Sequence, residues 1–147
     1  MLCEEITNCK NKMDVPNKKL IDTGGGTSSF TIQNKSKTDF VIIDFENCVF
    51  KGNNIDSKCD YGMETDSSIY FIELKGSNLE KGCYQLKSTI NQTKKCFKEK
   101  NIEARLVVTK VRKPKLYKNT PDYKQLIKIL KTPNNLIIGS KNLKENI

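Results

Sequence analysis

Ser68-Ile-Tyr-Phe-Ile-Glu-Leu-Lys-Gly76 is the stretch whose reading decides the fold. Its apolar and aromatic residues predict a strand, yet Glu73 and Lys75 interrupt the run two positions apart. Side chains alternate across a strand, so Glu73 and Lys75 share a face with Ile69 and Phe71, while Tyr70, Ile72 and Leu74 share the other. On a solvated face this would be a modest ion pair. On an apolar strand it asks for a chemical reason.

Working upstream, Cys59 to Met63 reads as a short strand and Glu64-Thr-Asp-Ser67 as a tight turn. That hairpin can bring Asp60 across the ladder from Glu73. Two carboxylates so placed make a hard-oxygen site for Mg²⁺ or Mn²⁺. A neighbouring ammonium can orient a water and offset phosphate charge, while the metal stabilises charge developing on the phosphorus oxygens. Those are the requirements of phosphodiester hydrolysis.

Further out, residues 29–33 and 38–45 predict two strands joined by a turn at 34–37, feeding an antiparallel meander. Leu79, Cys83, Leu86, Ile90 and Phe97 fall on one helical face, with Asn78 as N-cap and Glu80 in the first turn. Residues 104–111 return to strand character. Thr120 caps a second helix with Pro121 at its first position, carrying Tyr123, Leu126, Ile127 and Leu130, and 136–138 form a closing strand. Residues 139–147 read as a frayed tail, and residues 1–22 show no convincing period. Thr23-Gly-Gly-Gly-Thr-Ser-Ser29 looks like a phosphate loop but lacks the Gly-Lys-Ser/Thr ending and a preceding strand, so it reads as a connection. Strands, helix, strand, helix, strand describe an α/β domain over 1–147, a mixed central sheet flanked by helices.

Asp60, Glu73-Leu-Lys75 thirteen positions on, and a helix bearing Gln85 together resemble the PD-(D/E)xK nuclease core, the restriction-endonuclease-like fold. The resemblance spans residues 38–110, and the pattern Cys59-Asp-Tyr…Tyr70-Phe-Ile-Glu-Leu-Lys-Gly76…Gln85-Leu is similar to small uncharacterised bacterial and phage proteins of that fold. It implies Asp60 and Glu73 as ligands of Mg²⁺ or Mn²⁺, the Leu74 carbonyl as a further ligand, and Lys75 as the residue placing the attacking water. Gln85 matches the helical glutamine of the recombination-associated branch, whose tyrosine four positions later is Thr89 here. Cys59 stands where the family pattern has proline. The family often adds an acid from an amino-terminal helix, for which Glu4 and Glu5 are the candidates. The rival expectation is a catalytically inactive nuclease-fold protein of phage or mobile-element origin that binds or inhibits.

Charge sets the expected partner. The 147 residues carry a net charge of +9, but from Lys110 onward ten basic residues face two acidic ones, a local +8, against +1 for the first 109. A positive end suits a polyanion, DNA before RNA, with a protein partner or a homodimer also open. Lys110, Arg112, Lys113, Lys115, Lys124 and Lys128 are the candidate phosphate contacts, and Tyr117 the candidate for stacking on a base. The same residues also suit a solvated connection in a lysine-rich chain. The absence of histidine excludes the usual histidine-based triads and histidine-based zinc sites as well as a histidine base. Six cysteines without a Cys-x-x-Cys pair, no apolar run of membrane length and an acidic start predict a reduced, cytoplasmic protein, with Cys59 and Cys83 packing as small hydrophobes.

Overall fold

The computed structural model describes residues 2–23, 25–52, 57–75, 78–110 and 116–147. In chain order these form α1 (Leu2–Asn8), β1 (Lys10–Met13), β2 (Asn17–Ile21), β3 (Ser29–Gln33), β4 (Phe40–Asp44), a π-helical turn (Phe45–Val49), β5 (Tyr61–Glu64), β6 (Ser68–Lys75), α2 (Leu79–Thr93), β7 (Asn101–Val108), α3 (Pro121–Leu130), β8 (Leu136–Ser140) and β9 (Asn142–Asn146), with short 3₁₀ turns between some of them.

The decisive stretch is β6, and all its residues except Lys75 are buried. It lies inside a six-stranded mixed sheet of order β1-β4-β5-β6-β7-β8. β4, β5 and β6 run as the expected antiparallel meander, and β6, β7 and β8 are parallel, joined by α2 and α3. The face assignment holds. Ile69 and Phe71 belong to the core under the helices with Cys83, Leu86 and Ile90, whereas Tyr70, Ile72 and Leu74 belong to a second core on the other side. Leu86 and Ile90 are fully buried, each worth roughly 1.5–3 kcal/mol of apolar transfer.

The second core corrects two expectations. The helices cover one face of the sheet, and the other is covered by a small sheet, β2-β3-β9. β3 and β4 are therefore not ladder neighbours: β3 pairs with β2 and β9, while β4 pairs with β1 and β5. Phe30 and Ile32 of β3 meet Phe40 and Ile42 of β4 across the layers instead of along a ladder. Residues 142–146, expected as a tail, form β9 parallel to β3. Arg105 of β7 binds this layer, its Nε donating to Glu145 at 2.6 Å.

α2 begins as predicted, with the Asn78 side chain accepting the Lys81 N–H at 3.0 Å, but it ends at Thr93, and Phe97 follows in a 3₁₀ turn. Gly82 lets the helix lie close on β7, because a Cβ there would sit 2.6 Å from Leu106 Cδ1. Thr120 caps α3 by accepting the Tyr123 N–H at 3.4 Å, with Pro121 at the first position.

The expected reduced state is corrected for four of the six cysteines. Cys3–Cys96 and Cys9–Cys48 are disulfides, closing separations of 93 and 39 residues, and only the fold brings such distant thiols together. Cys59 and Cys83 are free and buried. Among the described residues no helix is long and apolar enough to cross a membrane.

Candidate functional site

Tyr61 pairs with Ile72 in the β5–β6 ladder, and one step further the same register sets Asp60 opposite Glu73. Asp60 is held from three sides. Its carbonyl accepts the N–H groups of Phe45 and Glu46 at 3.1 and 3.3 Å, and its Oδ2 accepts the Leu74 N–H at 2.8 Å. The residue before it is also fixed, since the Cys59 N–H donates to Thr89 Oγ1 at 2.8 Å and that hydroxyl donates to the Gln85 carbonyl at 2.9 Å. Thr89 thus clamps the Asp60 segment to α2. Within one strand residue the N–H and C=O point the same way across the ladder, so the Leu74 carbonyl faces the Asp60 side as well.

Glu73 is 1% exposed and lies on the face that α2 covers. Lys75, the next residue outward on that face, places Nζ 3.4 Å from Glu73 Oε2. The other carboxylate oxygen, Glu73 Oε1, is buried without a hydrogen-bond partner, and so is Oε1 of Gln85, itself buried on the inner face of α2. With Glu73 ionised, these would be two acceptor-only oxygens deprived of both water and donors, a cost on the order of 1–3 kcal/mol each.

The third acid comes from an unexpected place. Glu46, in the π-helical turn after β4, shares a hydrogen bond with the Asp60 carboxyl and adds negative charge beside both Asp60 and Glu73. Asp44 fixes this turn by accepting the Asn47 N–H at 2.9 Å, and Cys48 ties it to Cys9. Glu4 and Glu5, the expected sources, sit exposed on α1. The sequence signal was the run Asp44-Phe-Glu46 at the end of a buried strand.

Burial, then the charge of Glu73, pushes the Asp60 carboxyl up to about 9. Burial likewise pushes Glu73 up to about 8, with Lys75 pulling the other way. Without a cation the pair therefore retains a proton near neutrality, and like charges in one apolar site account for it. Among the described residues no three His, Cys, Asp or Glu side chains converge closely enough to enclose an ion unaided. The groups on this side of β6 are the Asp60 and Glu73 carboxyls and, by strand geometry, the Leu74 carbonyl, all oxygen.

Ser28, at the end of the glycine-rich connection, donates to the Lys75 carbonyl at 2.7 Å and so packs that connection against the site strand. Lys75 pairs with Val108, and exposed Lys110 follows at the same end of the sheet. Arg112, Lys113 and Lys115 lie outside the described residues. Tyr117 is half-buried, its ring edge-on to Tyr123 at 5.3 Å. Lys124 and Lys128 are exposed on α3. Comparison of the chain with protein-family models, with curated proteins and with solved structures finds no match in any of the three.

Proposed function

We propose that the chain is a divalent-metal-dependent nuclease that hydrolyses nucleic-acid phosphodiester bonds, DNA in the first instance, on a restriction-endonuclease-like core. The observation that carries this reading is the buried Glu73 Oε1 without a donor beside an acid pair that retains protons. A cation would satisfy what the protein leaves unsatisfied. Asp60, Glu73 and the Leu74 carbonyl would hold Mg²⁺ or Mn²⁺, and the bound ion would supply Lewis-acid stabilisation of charge on the phosphate. Lys75, 20% exposed in its side chain, is the group within reach of solvent and orients the attacking water. Gln85 offers a second acceptor on the helix side. Lys110, exposed at the end of the sheet that carries Lys75, contacts the backbone, and Lys124 and Lys128 on α3 are further phosphate contacts, with Arg112, Lys113 and Lys115 candidates by sequence alone.

One observation favours an inactive nuclease-fold binding protein instead: Lys75 is already committed to Glu73. The disulfides favour folding in an oxidising compartment over the reducing cytoplasm expected from sequence.

Cleavage of single- and double-stranded DNA and RNA with Mg²⁺ or Mn²⁺ tests the reading. Metal-dependent cleavage lost in both Lys75→Ala and Asp60→Asn supports it. Metal-independent cleavage, or cleavage equal in wild type and variants, would overturn it, and binding without cleavage selects the inactive protein.

A further inference from the structure

Beyond the carboxy-terminal end of α2, past the Gln85–Thr89 stretch that holds the Asp60 segment, a cavity of about 470 Å³ opens between the carboxy-terminal ends of α2 and α3. We propose that this cavity binds a nucleoside phosphate, free or as an unpaired unit of a single strand. Its size lies within the usual range for small-ligand sites, about 300–1,000 Å³.

The floor is apolar: Phe97 and Leu130 are buried beneath it, and Ile102 and Ile129 are half-buried at its surface. The rim is cationic. Lys94, Lys95, Lys98 and Lys131 line it, all exposed, and among the described residues none has an ion-pair partner. Lysines at helix ends often do no more than offset the dipole. Here two helix ends contribute roughly half a negative charge each, against four ammonium groups. The surplus is positive and calls for an anion. Lys100, a fifth lining lysine, is already spent on the Asp66 carbonyl at 3.0 Å and on Glu64 at 3.8 Å.

Two asparagines decide between anions. Asn135 spends its amide N–H groups on the carbonyls of Ile102 and Leu130, which turns its Oδ1 into the remaining acceptor. Asn101 is exposed at the lining, and among the described residues its side chain makes no hydrogen bond. A flat body with donors and acceptors on its edge, lying on an apolar floor with its phosphate at the lysines, uses all of these features. An alkyl carboxylate would leave the amides unused. The assignment takes its biological sense from the nucleic-acid reading above, but binding here needs neither the metal nor the carboxylates.

The test is fluorescence anisotropy in EDTA with two probes, mant-ADP and a fluorescein-labelled dT decamer, on wild type, on the triple variant Lys94→Glu/Lys98→Glu/Lys131→Glu, on Asn101→Ala and on Lys19→Ala, each checked by circular dichroism. Saturable binding is expected, weakened about tenfold or more in the triple variant because several phosphate contacts are lost together. It should be weakened several-fold in Asn101→Ala and unchanged in Lys19→Ala, an exposed lysine on β2 of the other sheet. Competition of the decamer by AMP supports a site that takes the free nucleotide, and decamer binding that AMP does not displace supports the strand unit. Binding equal in wild type and the triple variant would overturn the proposal. So would displacement of the decamer by a glutamate decamer as effective as by unlabelled dT, which would mark a surface for acidic protein. Persistent binding in a chain that cleaves nothing would leave this site standing and remove the nuclease.

Discussion

The Leu74 N–H donates to Asp60 Oδ2 at 2.8 Å, so the first acid is locked to the strand that carries Glu73 and Lys75. This bond stabilises the charged form of Asp60, and burial with the neighbouring acids outweighs it.

That imbalance gives a pH dependence with a definite sign. The unfolded chain releases these protons near pH 4, whereas the folded chain holds them up to about 8 at Glu73 and about 9 at Asp60. A carboxyl whose folded value is raised contributes stability in full below the unfolded value and loses it as pH rises through the folded one. In EDTA the melting temperature should fall between pH 5 and pH 9, and Glu73→Gln should flatten the fall and melt higher than wild type at pH 9. A wild-type profile that is flat or rising relative to Glu73→Gln across that window rejects the buried acid pair.

Divalent ions should reverse the same effect. They compete with protons for the carboxylates, so Mn²⁺ should raise the melting temperature more at pH 8 than at pH 6. A concentration one hundred times Kd is worth about 2.7 kcal/mol. Asp60→Asn should abolish the shift. Calorimetry in buffers of different ionisation heat should register proton release on binding, and an equal Mn²⁺ shift in Asp60→Asn would sever the link to this site.

Much of this arrangement was legible in sequence because it rests on short-range periodicity. The alternation in 68–75 assigned both faces of β6, and Asn78, Thr120 and Pro121 marked the helix starts. What was hidden depends on partners distant along the chain. β9 carries Asn142, Lys144 and Glu145 among few apolar residues, and it becomes a strand through pairing with β3 and through the Glu145–Arg105 bridge. The separation of β3 from β4 follows from the second layer, which the hairpin-like turn at 34–37 does not reveal. Glu46 was missed because a single π-helical turn has no sequence period. The disulfides were missed because neither pair has a motif spacing.

The Cys9–Cys48 disulfide anchors the turn that presents Glu46, whereas Cys3–Cys96 ties α1 to the end of α2. Chain-entropy arguments give about 4 kcal/mol for a 39-residue loop and somewhat more for one of 93. Cys9→Ser/Cys48→Ser and Cys3→Ser/Cys96→Ser should therefore both lower stability by a few kcal/mol. Only the first should also lower Mn²⁺ affinity, since it frees the segment whose carboxyl meets Asp60. Titration of both variants by calorimetry distinguishes them, and equal affinities would show that Glu46 does not depend on the disulfide for its position.

Arg105 holds the two sheets together from a buried position. It is 3% exposed, donates to Glu145 at 2.6 Å and to Glu103 at 3.0 Å, donates to the carbonyls of Ala104 and Asn135, and stacks over Tyr70 at 5.0 Å. Removing one partner of a buried ion pair strands the other charge, typically at about 3–5 kcal/mol. Arg105→Ala should cost that much in urea unfolding, and Arg105→Lys should recover only part, because an ammonium cannot reproduce the fork that reaches two acids and two carbonyls. Arg105→Ala/Glu145→Gln should be less destabilised than the sum of its single changes, since the stranded carboxylate is gone. Strict additivity would mean that the bridge between β7 and β9 contributes nothing, and that the second sheet is held by its apolar contacts through Phe30, Ile32 and Val107.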